Sequence, residues 1–178
     1  MINYSLMFAS SQDGFIAKKE DDKPSLWTSK EDHQLLSDQI SISDWCVMGR
    51  KTHELNPRKD RKRIVFSRQV QSIQSINPTI PNQMYFNPDV CQISEFENFV
   101  GDNSNVLVLG GTRVHDFFLY LDVLSKILIT IEPLTFTSGI PAFSFINFND
   151  LDAFLITRGY LKNEKNINEK TKLITFSR

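Results

Sequence analysis

The segment Val106-Leu-Val-Leu109-Gly110-Gly111 constrains the fold of this chain more than any other. Four consecutive apolar residues fit a strand covered on both faces, and the glycine pair leads directly into an amphipathic helix running to about Tyr120. The same strand-to-helix step recurs upstream. Tyr4 to Ala9 is an apolar, aromatic first strand that breaks at the Asp13-Gly14 turn, Trp45 to Met48 ends at Gly49, and Ile64 to Phe66 ends at Ser67. Between them, Leu35, Leu36, Ile40 and Ile42 recur at helical spacing over Ser29 to Ile42. Ser29 with Asp32 three residues on forms the N-cap pattern that starts that helix. Cys91 to Val100 carries Ile93, Phe96, Phe99 and Val100 on one helical face, and Met84 to Phe86 is a weaker strand.

Strands alternating with helices predict a three-layer α/β domain with a mixed, mostly parallel central sheet and helices on both faces. Toward the end the pattern changes. Lys126 to Glu132, Ala153 to Thr157 and Lys172 to Phe176 are expected as strands with little helix between them, giving an antiparallel C-terminal edge, and Lys162 to Lys172 as a hairpin loop. No repeat or long linker interrupts the chain, and Ser72 to Pro88, with its three prolines, is a surface connection. A single domain over residues 1–178 is therefore expected.

Twenty Lys and Arg nearly balance 21 Asp and Glu, and the cations fall in short clusters, so nucleic acid is not an expected partner. No apolar run reaches the roughly 18 residues of a membrane span, which leaves the fourteen Phe to a water-surrounded core. The N-terminus lacks the basic flank and cleavage site of a signal peptide, and a cytoplasmic protein is expected. Cys46 and Cys91 do not form a C-x-x-C pair, and the three histidines are scattered, so neither a disulfide framework nor a metal site is expected. Cys46, in an apolar run, is read as a buried structural thiol.

Three segments carry anion-binding chemistry. In Val47-Met48-Gly49-Arg50-Lys51-Thr52 a strand ends in glycine, which allows close backbone approach, and then offers two cations and a hydroxyl. Arg63-Ile-Val-Phe-Ser67-Arg68 again places a hydroxyl and a cation after a strand, the partner that a ribose 2′-phosphate needs. In Gly110-Gly111-Thr112-Arg113-Val114 the glycines open a helix whose N-terminus could face a pyrophosphate, without forming the G-x-G-x-x-G fingerprint. Taken singly, each is also an ordinary polar loop after a strand.

In this order the motifs resemble the dihydrofolate-reductase-like superfamily. The likeness rests on Asp13-Gly14, Trp27 with Asp32, Gly49 to Thr52, Ile64 to Ser67 and Gly110-Gly111, spanning about residues 4 to 145. It implies NADPH extended across the strand ends: Gly49, Arg50, Lys51 and Thr52 holding phosphates, Ser67 and Arg68 the 2′-phosphate, and Gly110, Gly111, Thr112, Arg113 and Val114 the pyrophosphate. Ala9, Ile16 and Ala17 would line the nicotinamide, while Trp27, Ser29, Leu36 and Arg61 would border a heterocyclic substrate. Asp32 has two readings. Its carboxylate fits the N–H edge of an aminopyrimidine or pteridine and the handling of one proton, and it equally fits a first-turn acid that complements the helix dipole. Thr130, on a strand, matches a hydroxyl behind the acid or is an ordinary strand threonine.

Within the superfamily, Trp27 to Asp32, Ser43-Asp44-Trp45, Glu132-Pro133 and Gly139 to Phe143 are most similar to the reductase domain of the riboflavin-pathway deaminase/reductase. The resemblance implies reduction of 5-amino-6-(5-phosphoribosylamino)uracil, and a homodimer. The zinc-deaminase motifs of the other half, H-x-E with P-C-x-x-C, are absent. Two features point instead to dihydrofolate reductase: Leu109 stands where the riboflavin enzymes carry an acid, and Arg61 matches an arginine that holds the folate glutamate. Leu36, where folate enzymes have Phe, points away from it. A non-catalytic nucleotide-binding protein on the same fold is the third reading.

Overall fold

The computed structural model describes residues 1–178. Eleven strands and five α-helices follow one another as β1 (Asn3–Ser10), β2 (Phe15–Ala17), α1 (Lys30–Ser41), β3 (Trp45–Gly49), α2 (Arg50–Leu55), β4 (Arg63–Phe66), β5 (Gln74–Ser75), β6 (Gln83–Phe86), α3 (Ile93–Val100), β7 (Asn105–Gly110), α4 (Thr112–Tyr120), β8 (Leu124–Ile131), β9 (Ile140–Pro141), α5 (Leu151–Thr157), β10 (Leu161–Asn166) and β11 (Lys172–Ser177). Nine of the strands form one sheet in the order β10-β11-β8-β1-β7-β3-β4-β6-β5, and β2 pairs with β9 in a separate small ladder. From β8 to β6 every neighbouring pair is parallel, whereas β11 and β10 add on antiparallel, as does β5 at the far end. The predicted mixed sheet with an antiparallel C-terminal edge is observed.

Alternation along the strands decides which helix covers which face. Leu6, Val47, Ile64, Phe66, Val106, Val108, Ile127 and Ile129 join Phe96 of α3, Phe118 of α4 and Leu155 of α5 in the larger core. Met7, Cys46, Met48, Val65, Leu107, Leu128 and Leu173 face the other way, toward Leu35, Leu36 and Ile40 of α1. The phenylalanine-rich composition has a concrete destination: Phe66, Phe86, Phe96 and Phe118 pack with Tyr4 at ring separations of 5.4 to 6.3 Å. Burying each such ring stabilises the fold by about 1.5–3 kcal/mol.

One element differs in kind from its sequence expectation. Ala153 to Thr157, expected as a strand, lies in helix α5, because Leu151 and Leu155 recur at i, i+4 and are both buried. The C-terminal hairpin therefore starts later: residues 162–166 of the expected loop belong to β10 (Leu161–Asn166), paired with β11 from Leu161↔Ser177 to Asn166↔Lys172. As an edge strand of sequence Leu-Lys-Asn-Glu-Lys-Asn, it is almost wholly exposed and carries no apolar alternation.

Because β1, β3, β4, β7 and β8 run parallel, their carboxyl ends come to one side of the sheet. The crevice outside such ends is where α/β sheets accept ligands.

Candidate functional site

A cleft of about 870 Å³ opens there, within the size range of small-molecule sites. Its lining includes Ala9, Ile16 and Ala17 from the first strands, Asp32 and Leu36 from α1, Gly49, Arg50, Lys51 and Thr52 from the β3–α2 step, Ser67 and Arg68 after β4, and Gly111, Thr112, Arg113 and Val114 from the start of α4. The three anion-binding segments, spread over more than sixty residues of chain, thus share one cavity. Two of them meet closely at the ends of β3 and β7: a Cβ on Gly49 would lie 3.9 Å from Gly110 O and Gly111 N.

Gly110 itself does not line the cleft. Its φ of +103° requires glycine, and a Cβ there would lie 2.5 Å from His115 Nε2. His115, fully buried, sets the floor beneath the glycine pair. Its Nδ1 lies 2.9 Å from Ala142 O, and since a carbonyl only accepts, Nδ1 carries the proton. Burial pushes this imidazole down to about 4, against the opposing pull of the Ala142 carbonyl.

The cations at the cleft differ in their partners. Arg50 pairs with Glu54 at 3.5 Å, Arg113 with Asp89 at 2.6 Å, and Lys51 with Glu20 of the loop after β2. Arg68 has no ion-pair partner. A further cation of the cleft, Arg63, carries no signal in the sequence that separates it from its neighbours. It is buried on β4, donates to Asn56 O at 2.7 Å and His53 Nδ1 at 3.2 Å, and has a buried Nε without partner. Arg61, two residues earlier, lies outside the cleft beside Asp60 at 3.9 Å, because it precedes the strand whose register aims Arg63 at the α1 side.

At the deep end Asp32 is 5% exposed in the first turn of α1, with Oδ1 buried and unpartnered. Burial raises its pKa and the nearby Glu132 charge adds to the rise, while Thr130, His33 and Thr28 pull the other way. Thr130 lies behind the acid on β8, fully buried, short of hydrogen-bond geometry and itself unpartnered, so it does not line the cleft. Nor do Trp27 and Ser29, which border a shallow second pocket with Glu132 and Thr171. Ser29 acts structurally instead. Its hydroxyl accepts from Asp32 N at 3.2 Å as the cap of α1, and its own N–H donates to Glu132 Oε1 at 2.8 Å. Trp27 packs edge-on to Phe136 with Nε1 buried and unpartnered.

Two solved structures match this architecture over nearly its whole length. One, from Shewanella sp. PV-4 and provisionally named a riboflavin biosynthesis protein, aligns with a TM-score of 0.71 at 16% identity, covering 99% of this chain and 98% of that one. The other is dihydrofolate reductase from Enterococcus faecalis, complexed with NADP(H) and RAB-propyl, at a TM-score of 0.65 and 18% identity, covering 99% and 96%. The fold is dihydrofolate-reductase-like. No family model and no curated protein matches the chain. At these identities the likeness establishes the dihydrofolate-reductase-like fold alone, and the activity must be argued from the cleft.

Proposed function

We propose that this chain is an NADPH-dependent reductase of a pyrimidine or pteridine-type heterocycle, and that its substrate is the riboflavin-pathway compound 5-amino-6-(5-phosphoribosylamino)uracil. The observation that carries the proposal is the meeting, in one cleft, of a buried carboxyl with an unpartnered oxygen, Asp32, and three strand ends that offer glycine, hydroxyl and cation. The Shewanella neighbour, by its name, supports the riboflavin branch, and the Enterococcus neighbour, by its bound NADP(H), supports the coenzyme.

The residues present fit a dinucleotide. Gly49 and Gly111 leave the backbone open to close approach, since a Cβ at either would contact neighbours only at 3.9 Å. Ser67 and the unpaired Arg68 would hold the 2′-phosphate, and the first-turn amides of α4 with Arg113 the pyrophosphate. Arg50, Lys51 and Arg113 are already paired with carboxylates, so an incoming phosphate would replace one anion by another. Ala9, Ile16 and Ala17 form an apolar wall for a flat ring. NADPH, when bound, supplies hydride chemistry. The proton is left to Asp32, which grips the N–H edge of the heterocycle and keeps a proton for the reduced ring. Arg63, with no carboxylate partner, would face an anionic group at the substrate's far end.

Leu109 favours dihydrofolate reductase as a second reading, because this apolar side chain lines the cleft where the riboflavin-type resemblance implies an acid. Loss of NADPH absorbance on mixing with the aminopyrimidine phosphate, and then with dihydrofolate, tests both. Turnover of the first alone supports the proposal, and turnover of dihydrofolate alone replaces it with the second reading. Coenzyme binding without turnover of either would make the chain a non-catalytic nucleotide binder.

A further inference from the structure

Glu132, the residue after β8, is a buried carboxylate that the proposed chemistry does not use. It is 2% exposed, and no Lys, Arg or His forms an ion pair with it. Its Oε1 accepts from Ser29 N at 2.8 Å, its Oε2 accepts from Thr171 Oγ1 at 2.9 Å, and its own backbone N–H donates to Ser10 O at 2.9 Å. One side chain and its backbone thus tie together the end of β1, the start of α1, the end of β8 and the β10–β11 turn.

Hydrogen bonding alone does not call for a charge here. A glutamine would accept from the Ser29 amide and donate to the Thr171 oxygen equally well, without the cost of holding an uncompensated carboxylate away from water. Glu132 is tied to a second buried carboxyl through Ser29, whose amide donates to Glu132 and whose hydroxyl accepts from Asp32 N. Burial and Glu132 both act to raise the pKa of Asp32. The groups that act against them are His33 on α1 and the hydroxyls of Thr28 and Thr130, while Glu31, Glu169 and Lys170 border the shallow pocket on the outer side.

We propose that Glu132 is a positioning residue for Asp32: by accepting from the Ser29 amide it fixes the residue that caps the first turn of α1, and it keeps a second buried acid beside the Asp32 carboxyl. The inference rests on the reading of Asp32 as the proton-handling group of the reductase. It adds a second carboxylate that never touches substrate but sets the pH range in which the first can act.

The test is a carbon-13 NMR titration of side-chain carboxyls in the full chain, parental and Glu132→Gln, read beside the pH profile of kcat. The Asp32 signal in Glu132→Gln should titrate at lower pH than in the parental protein, and the high-pH fall of kcat should move down with it while the KM for NADPH stays the same. An unmoved Asp32 midpoint overturns the proposal. Should Glu132→Gln fail to fold, the parental protein decides: the Asp32 and Glu132 signals must share a titration step, and independent steps overturn it. The NMR titration needs no substrate, so the two readings fail separately. A displaced midpoint in a chain without reductase activity sinks the function and leaves the Glu132 coupling, whereas activity with an unmoved midpoint sinks the coupling alone.

Discussion

Glu20, in the loop after β2, and Lys51, in the first turn of α2, form an ion pair across the mouth of the cleft. Both side chains are more than half exposed, so the pair adds little to stability. Its consequence is competition, because Glu20 holds the cation that a coenzyme phosphate would use. Glu20→Gln should tighten NADPH binding by up to about fivefold at low salt, the range open to an exposed pair, with the gain shrinking as salt screens it. A fluorescence titration of NADPH checks this, and unchanged or weaker binding would remove Lys51 from the phosphate site.

Arg68 is a cleft cation without an acidic partner, and it follows Ser67 at the carboxyl end of β4. Arg68→Ala should weaken NADPH binding by about ten- to a hundredfold, in line with the loss of charge-assisted hydrogen bonds, and leave NADH binding nearly unchanged. Equal losses for the two coenzymes would place the 2′-phosphate elsewhere.

Asp32→Asn should abolish reduction and leave coenzyme affinity intact, since the role proposed for Asp32 is to hold the heterocycle and not the coenzyme. Stability should move the other way. A carboxyl whose folded pKa is raised costs nothing below its ordinary value of 3.8, where it is protonated in both states. The cost sets in as pH rises past that value and is complete above the folded pKa. The variant should therefore melt at a higher temperature than the parental protein at neutral pH, and the gap should close in acid. A variant less stable at neutral pH would mean that the parental carboxyl is well solvated or paired.

His115 gives the opposite dependence. The folded protein holds it neutral, with its pKa lowered by burial to about 4, whereas the unfolded chain takes up a proton below about 6.5. Stability should fall as pH drops from 6.5 toward 4, by about 3 kcal/mol from this residue, and His53, also lowered by burial and by Arg63, acts in the same direction. Denaturant unfolding of His115→Asn across this window should show a flatter profile than the parental protein. An equally steep one would assign the acid sensitivity to other groups.

Much of this architecture is legible from the sequence where burial writes a period into it. β7 is a continuous apolar run because both faces are covered, and α1 declares its start through Ser29 because the cap needs a side-chain oxygen at that place. β10 is illegible for the converse reason: its partner contacts are backbone hydrogen bonds, and its exposed side chains record nothing of them. The apolar run in α5 is too short to separate helix from strand by period alone. In the cleft, residue types point to the right loops but not always to the right side chain. Arg61, Lys62 and Arg63 are chemically equivalent in the sequence, and only the register of β4 turns Arg63 inward. Glu132 enters the sequence only as part of the Glu132-Pro133 step, and its tie to α1 is illegible there because its partners Ser29 and Thr171 lie 103 and 39 residues away.

The first strand lies in the middle of the sheet, yet both of its neighbours are made about a hundred residues later. Asn3 sits opposite Asn105, 102 residues along the chain, and Leu6 opposite Ile127. During synthesis at about 5–20 residues per second, the strand emerges from the ribosome and waits several seconds with both of its edges open. Throughout that interval no coenzyme can protect the nascent polypeptide, because Ile140 is among the last pieces of the cavity wall to arrive. The half-made chain is thus the form most exposed to wrong pairing, and ligand rescue of a weakened variant can act only after translation is nearly complete.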